Sequence, residues 1–201
     1  HLDIMIEKMK IRKSLMQRAI EELELRKKTE SKYSFSFVEL PDVRCYCGTS
    51  KSYTPADTEK FTARLMEEAI QLGFTRLSYE PLFSLRYETD SKPAYIPNEP
   101  FDVTVCIPIE HDDVLNEDLP EGRIGHIESI CGGRAFSLLH HGDYDAPDYF
   151  NAAYTGFWEE VRNRNLRVTG PVRGIGIVCP LAGLDIDPSD YVFRFAALVT
   201  E

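Results

Sequence analysis

The chain has 201 residues, 43% hydrophobic and 28% charged, with a net charge of −10, which is enough apolar material for one large domain or two small ones with a proper core. No run approaches the roughly eighteen apolar residues of a membrane-spanning helix, and the charged first residues lack the apolar stretch of a secretory signal. Residues 1–32 hold nine Lys/Arg against six Asp/Glu and residues 33–201 hold fourteen against twenty-seven, so the acidic body repels phosphate backbones and is by itself a poor nucleic-acid binder.

The opening stretch, "HLDIMIEKMKIRKSLMQRAIEELELRKK", contains no Gly or Pro and is rich in helix formers. Leu2, Met9, Met16 and Leu23 recur every seventh residue, and Ile6 with Ile20, or Met5 with Ala19, completes the seam. Lys, Arg and Glu occupy the outer positions. This heptad pattern predicts a dimerisation coiled coil over residues 1–32, roughly 40 Å long at 1.5 Å per residue, joining two copies into a homodimer. The other reading is an amphipathic helix folded onto its own domain. The chain opens on His1 rather than Met, so a further upstream segment is expected.

After "KTESKYS" the pattern changes to short β-rich runs at Phe35–Leu40, Val43–Cys47, Pro81–Tyr87 and Phe101–Ile109. Among them lies a predicted helix, "ADTEKFTARLMEEAIQLGF", with Phe61, Leu65, Ala69 and Leu72 near helical spacing and Gly73 as its stop. The second half repeats this order: "GGRAFSLLHHGDY" as a strand and turn, "YFNAAYTGFWEEVRNRNL" as a helix, then the strands "GPVRGIGIV" and "DYVFRFAALV". Pro81 matches Pro171 and Ile109 matches Val199 at an offset of ninety. The helices align at about ninety-two, with Met66 opposite Trp158 and Phe74 opposite Leu166. The predicted architecture is therefore α+β, a body over residues 33–201 made of two strand–helix–strand–strand units, 34–110 and 126–201. An acidic loop, "EHDDVLNEDLPEGRIG", joins them. Neither unit holds enough sheet to stand alone, so the two are expected to pack as one body.

A heptad helix followed by duplicated strand–helix–strand–strand units resembles the dimerisation helix and GyrI-like effector-binding domain of MerR-type multidrug transcription regulators. The residues that carry the resemblance are "FVELPDVRCYC", "FDVTVCIPI" and "GGRAFSLLHHGDYDAPDYFNAAYTGFWEEVRNRN", with the turn His140-His141-Gly142-Asp143-Tyr144 standing where the family shows His-x-Gly-x-Tyr. The resemblance implies a cytoplasmic sensor with no cofactor. A small-molecule effector sits between the halves, and DNA is contacted only through an N-terminal domain that this chain lacks. A small-molecule hydrolase of the same fold, or a stand-alone ligand-binding protein, is the alternative.

Alternation along 190–199 puts Tyr191, Phe193, Phe195, Ala197 and Val199 on one face, suited to packing against helices. Val192, Arg194, Ala196 and Leu198 lie on the other, toward the expected cleft. Thr104 is the equivalent of Arg194 in the first half. A cation buried in an apolar strand requires a partner. That partner is either an anionic ligand, which a guanidinium grips bidentately, or an internal carboxylate from Glu39, Glu88 or Glu128. Resembling regulators place a glutamate near this position for cationic drugs, and here the sign is reversed. The expected ligand-binding set is Arg194, Thr104, Tyr46, Phe83, Tyr87, Tyr144, Trp158 and Glu39, the aromatics offering broad rigid contact surfaces. Trp158 with Glu39 or Glu88 would be the machinery of the hydrolase reading, and His140 or His141 would ligate haem in a more remote relative. The five cysteines (Cys45, Cys47, Cys106, Cys131, Cys179) are odd in number and lie in or beside apolar stretches, so reduced thiols are expected rather than a disulfide framework. "GIG" in "VRGIGIVCP" lacks the strand-to-helix context of a dinucleotide site.

Overall fold

Within each half the chain runs strand, strand, helix, strand, strand. The structure, a computed structural model, describes residues 33–74, 80–87, 99–110, 116–142, 147–178, 187 and 190–200. The heptad positions Leu2, Met9, Met16 and Leu23 lie outside the described residues, as do Glu88 and Tyr144. The first half comprises β1 (Tyr33–Leu40), β2 (Val43–Ser52), α1 (Pro55–Gln71), β3 (Phe83–Arg86) and β4 (Phe101–Pro108). The second comprises β5 (His126–Ile130), β6 (Gly133–His141), α2 (Pro147–Asn163), the short β7 (Arg167–Val168), β8 (Val172–Val178) and β9 (Val192–Thr200).

All ladders are antiparallel and belong to one sheet, ordered β1-β6-β9-β8-β3-β4-β2-β5, with β7 alongside β9. The order is a palindrome: β1, β6, β9, β8 on one side of the junction answer β5, β2, β4, β3 on the other. The register keeps the offset of ninety throughout. Cys45 faces Pro108 where Ala135 faces Leu198, Phe83 faces Cys106 where Arg173 faces Ala196, and Val43 faces Ile130 where Gly133 faces Leu40. The halves do more than pack together. Each lends its first strand to the other, β1 pairing with β6 and β5 with β2. The sequence pattern did not mark β5, whose "HIESI" is too short and too polar to read as a strand.

The helices show why the duplication survives in local chemistry. In α1, Thr54 caps the start by accepting from Asp57 N at 3.2 Å, while Asp57 Oδ2 accepts from Thr54 N at 3.0 Å, and Pro55 opens the first turn. The helix ends in a Schellman turn, with Gly73 N donating to Ile70 O at 3.0 Å and Phe74 N to Ala69 O at 3.0 Å, around a Gly73 φ of 82°. Ninety-two residues later α2 ends identically. Asn165 N donates to Arg162 O at 2.9 Å and Leu166 N to Val161 O at 3.0 Å, with Asn165 at φ 54°. Asparagine is among the few residues besides glycine that take this left-handed conformation at little cost.

Both helices lie on one face of the sheet. α1 seals Tyr46, Val105, Ile107 and Ile127 with Leu65, Ala69 and Phe74. α2 seals Phe136, Leu138, Phe195 and Ala197 with Ala153, Tyr154, Phe157, Trp158 and Val161. The opposite face is buried as well, around Cys45, Cys47, Phe83, Leu85, Cys106, Ala135, Ile175 and Ala196. The division expected for 190–199 is the one found: Phe195 and Ala197 pack under α2 and Ala196 on the far side.

The strand exchange brings the β1–β2 turn against the β5–β6 turn. Gly132 N donates to Asp42 Oδ1 at 2.6 Å, and a Cβ on Gly132 would fall inside the backbone of Leu40, Pro41 and Asp42. Backbone cannot swing aside as a side chain can. Gly132→Ala is therefore expected to lower the unfolding free energy by about 2–4 kcal/mol in urea titration; a loss below about 0.5 kcal/mol, the size of an ordinary surface change, would show that the turns are not locked.

Candidate functional site

Four residues expected at the cleft share the helix-free face: Phe83, Thr104 and Arg194 by register with that core, and Tyr87 through its hydrogen bond with Thr104. Thr104 also bonds Thr49, hydroxyl to hydroxyl at 2.9 Å. Thr104 and Arg194 do not meet. As equivalents on β4 and β9 they stand three strands apart, roughly 14 Å at the usual spacing. The middle of this face is occupied by the packed cluster around the cysteines and by Arg173, whose guanidinium lies 5.3 Å from the Phe83 ring centre and donates to Cys131 O. Burial lowers the Arg173 pKa, and the neighbouring thiols and Asp42 act against that shift.

The remaining expected residues stand elsewhere, and strand parity is the reason. Tyr46 alternates with Cys45 and Cys47, so it points at α1 and is fully buried against Phe74 and Leu65. Its hydroxyl donates to Glu68 Oε2 at 2.6 Å, and the same carboxylate accepts from Ile124 N at 2.9 Å and Gly125 N at 3.1 Å. Trp158, on α2, packs edge-on to Tyr154 and Phe157 of the same helix within the core that α2 forms with the sheet. Glu39 is exposed near the rim of the sheet, its strand partner being Arg134. His140 is fully buried within β6. Among the described residues no group of three or more His, Cys, Asp and Glu side chains is arranged to hold a metal ion, and no helix is long and apolar enough to cross a membrane.

Glu68 thus ties α1 to β2 through Tyr46 and to the residues just before β5 through Ile124 and Gly125. Tyr46→Phe removes one hydrogen bond and is expected to destabilise by about 1 kcal/mol, whereas Glu68→Ala strands a phenol and two backbone donors and is expected to destabilise by about 2–3 kcal/mol. Thermal unfolding of both variants checks the order. Burial first, then the Glu68 hydrogen bond and charge, raise the Tyr46 pKa above its ordinary value. The folded state thus holds that proton more tightly than the unfolded one. This share of stability is whole below about pH 10 and is lost as pH rises above it.

On the helix side, the junction of β3 and β8 lies between the two helices, α1 covering β2 and β4 and α2 covering β6. Here sits a buried cation that the sequence reading did not select. Arg86 is 6% exposed, with its guanidinium carbon 4.5 Å from the Phe101 ring centre and 5.8 Å from that of Tyr154. Tyr154 continues edge-on into Phe195 at 5.3 Å, and Phe195 into Phe193 at 5.3 Å. One row of aromatic rings thereby crosses from the first half, at Phe101, to the second. Its floor is small: a Cβ on Gly174 would press against Phe193 and Ser84 Oγ. Ser52, the strand partner of Phe101, has a fully buried hydroxyl without a hydrogen-bond partner among the described residues. The signal for Arg86 was present in "PLFSLRY", where an arginine interrupts an apolar strand as Arg194 does in "DYVFRFAALV".

No family profile and no curated protein matches the sequence. Solved structures do match in shape. The chain superposes on the C-terminal domain of EcmrR with a TM-score of 0.68 at 17% identity, over 85% of this chain and 99% of that one. It has the fold of the EcmrR C-terminal domain. EcmrR in its complex with DNA matches with a TM-score of 0.71 at 18% identity, over 100% of this chain and 69% of EcmrR. An uncharacterised conserved protein from Listeria innocua matches with a TM-score of 0.55 at 15% identity, over 88% of this chain and 98% of that protein. The fold implied by the resemblance to regulator effector-binding domains is the fold observed.

Proposed function

We propose that this chain is the effector-binding part of a DNA-associated transcription regulator, and that its effector seats between the repeats on the helix side of the β3–β8 junction. The observation that carries the reading is the row Phe101–Arg86–Tyr154–Phe195–Phe193, which offers rings and a cation where the two halves meet. The shared fold with EcmrR, seen also bound to DNA, supports the regulatory role. Flat rings stack on a planar ligand, and a guanidinium set among aromatics favours a nearby anionic group. The ligand class is therefore a planar aromatic carrying a carboxylate or phosphate. Binding acts by differential affinity for two arrangements of the halves and calls for no chemistry.

Calorimetry with a panel of anionic, neutral and cationic planar aromatics tests this. Anionic members are expected to bind best and to be recovered chemically unchanged. Arg86→Met is expected to weaken them about 10- to 100-fold, the worth of a charge-assisted hydrogen bond. Arg194→Ala, on the other face, is expected to change affinity less than about twofold. The reverse order of the two arginine variants would move the site to the helix-free face, and conversion of the ligand to product would replace a sensor by an enzyme.

A further inference from the structure

The packed face away from the helices contains a group of side chains that the effector reading does not use. Cys47 on β2 stands directly opposite Cys106 on β4, with the two sulfurs 3.5 Å apart. Cys45, two residues before Cys47 on the same face, interacts with both thiols. On its other side Cys47 is paired with His126 of β5, and the His126 ring bonds Glu128 at 3.3 Å. The three thiols are fully buried. Tyr87, 61% exposed and just beyond the end of β3, lies near Cys47 and Cys106, its phenol feeling Glu128, Cys106 and Cys47. An exposed tyrosine, held through Thr104, thus stands beside the thiol pair.

We propose that Cys47 and Cys106 form a reversible thiol–disulfide couple, oxidised by hydroperoxides that enter when Tyr87 swings aside. Two opposed positions of an antiparallel ladder have the backbone separation a disulfide needs, and the sulfurs must close only about 1.5 Å to reach the bonded distance. Cys45 cannot take the place of either partner as simply. It precedes Cys47 by two residues on one strand and lies diagonal to Cys106. Hydrogen bonds with Cys106 and Cys45, with the His126 charge assisting, hold the Cys47 thiol well below its usual range, down to about 4, while hydrogen bonds with Cys45 and Cys47, and then burial, push Cys106 up. Cys47 is accordingly the nucleophile and Cys106 the resolving thiol.

The chemistry balances without a metal. Cys47 loses its proton to water, and the thiolate attacks one peroxide oxygen. The O–O bond breaks, the alcohol departs with a proton, and Cys47 becomes a sulfenic acid. The Cys106 sulfur then attacks the Cys47 sulfur and forms the S–S bond, while the hydroxyl of the sulfenic acid leaves as water with the Cys106 proton. Two thiols are oxidised and one hydroperoxide is reduced to alcohol and water.

The test treats the folded full chain with tert-butyl hydroperoxide and maps the products by peptide mass. The expected product is a linked pair of peptides carrying Cys47 and Cys106, two hydrogens lighter than the reduced pair and restored by dithiothreitol. Cys45→Ser is expected to keep that linkage, Cys47→Ser and Cys106→Ser each to lose it, and Tyr87→Ala to form it at least about tenfold faster. Modification confined to the exposed Cys131, or linkage appearing only once denaturant unfolds the chain, overturns the proposal. So does an unchanged rate in Tyr87→Ala for the gating role. None of these outcomes depends on whether an effector binds at Arg86.

Discussion

The exchange of first strands between the halves is the constraint from which the rest of the molecule follows. Because β1 completes the sheet of the second half and β5 that of the first, neither half closes its own sheet. The exchange requires the β1–β2 and β5–β6 turns to meet, which is why Gly132 lies against the backbone of Pro41 and Asp42. It leaves β3 and β8 as the seam of the palindrome. There the equivalents Ser84 and Gly174 stand face to face, and the Ser84 hydroxyl reaches Gly174 O at 3.5 Å. With the helices drawn to the outer pairs of strands, the seam alone is left for a site shared by both repeats.

Arginines inside apolar strands mark that seam on both faces. Arg86 lies over the Phe101 ring and near that of Tyr154 on the helix side, and Arg173 lies over Phe83 and donates to a carbonyl on the other. A guanidinium suits such places better than an ammonium, being weakly hydrated and flat enough to stack. Cation–π contact is worth about 2 kcal/mol when desolvated, which offsets part of the burial penalty but not all of it. Phe83 and Arg173 are moreover equivalent positions in the two repeats, so the duplication sets an aromatic residue and a cation against each other across the seam.

The repeats keep one frame and have diverged inside it. Gly73 and Asn165 serve the same left-handed turn, and the register offset is unbroken. Yet Tyr46, bonded to Glu68, stands where the second half has the ring of Phe136, and the thiols Cys45, Cys47 and Cys106 stand where it has Ala135, Ser137 and Ala196. Ser137 spends its hydroxyl on Ser36 at 3.2 Å. Backbone hydrogen bonds hold the ladder whatever the side chains are, so the frame tolerates this drift while each half acquires its own interior.

The duplication, its offset of ninety in the strands and ninety-two in the helices, and the two faces of 190–199 were all legible in the sequence. Periodicity and turn chemistry are local, and those features rest on neighbours a few residues apart. The sequence also singled out Arg194 as a cation in an apolar strand, though it passed over the same anomaly at Arg86. Tertiary structure alone decided which face of each strand meets a helix, and so sent Tyr46 and Trp158 into the helix-side cores while Phe83 joined the opposite one. It alone decided the strand exchange, since the short polar β5 gains its place from partners on β2 some eighty residues away. An alternating pattern says which side chains travel together; which way they face is set by the sheet and helices that close over them.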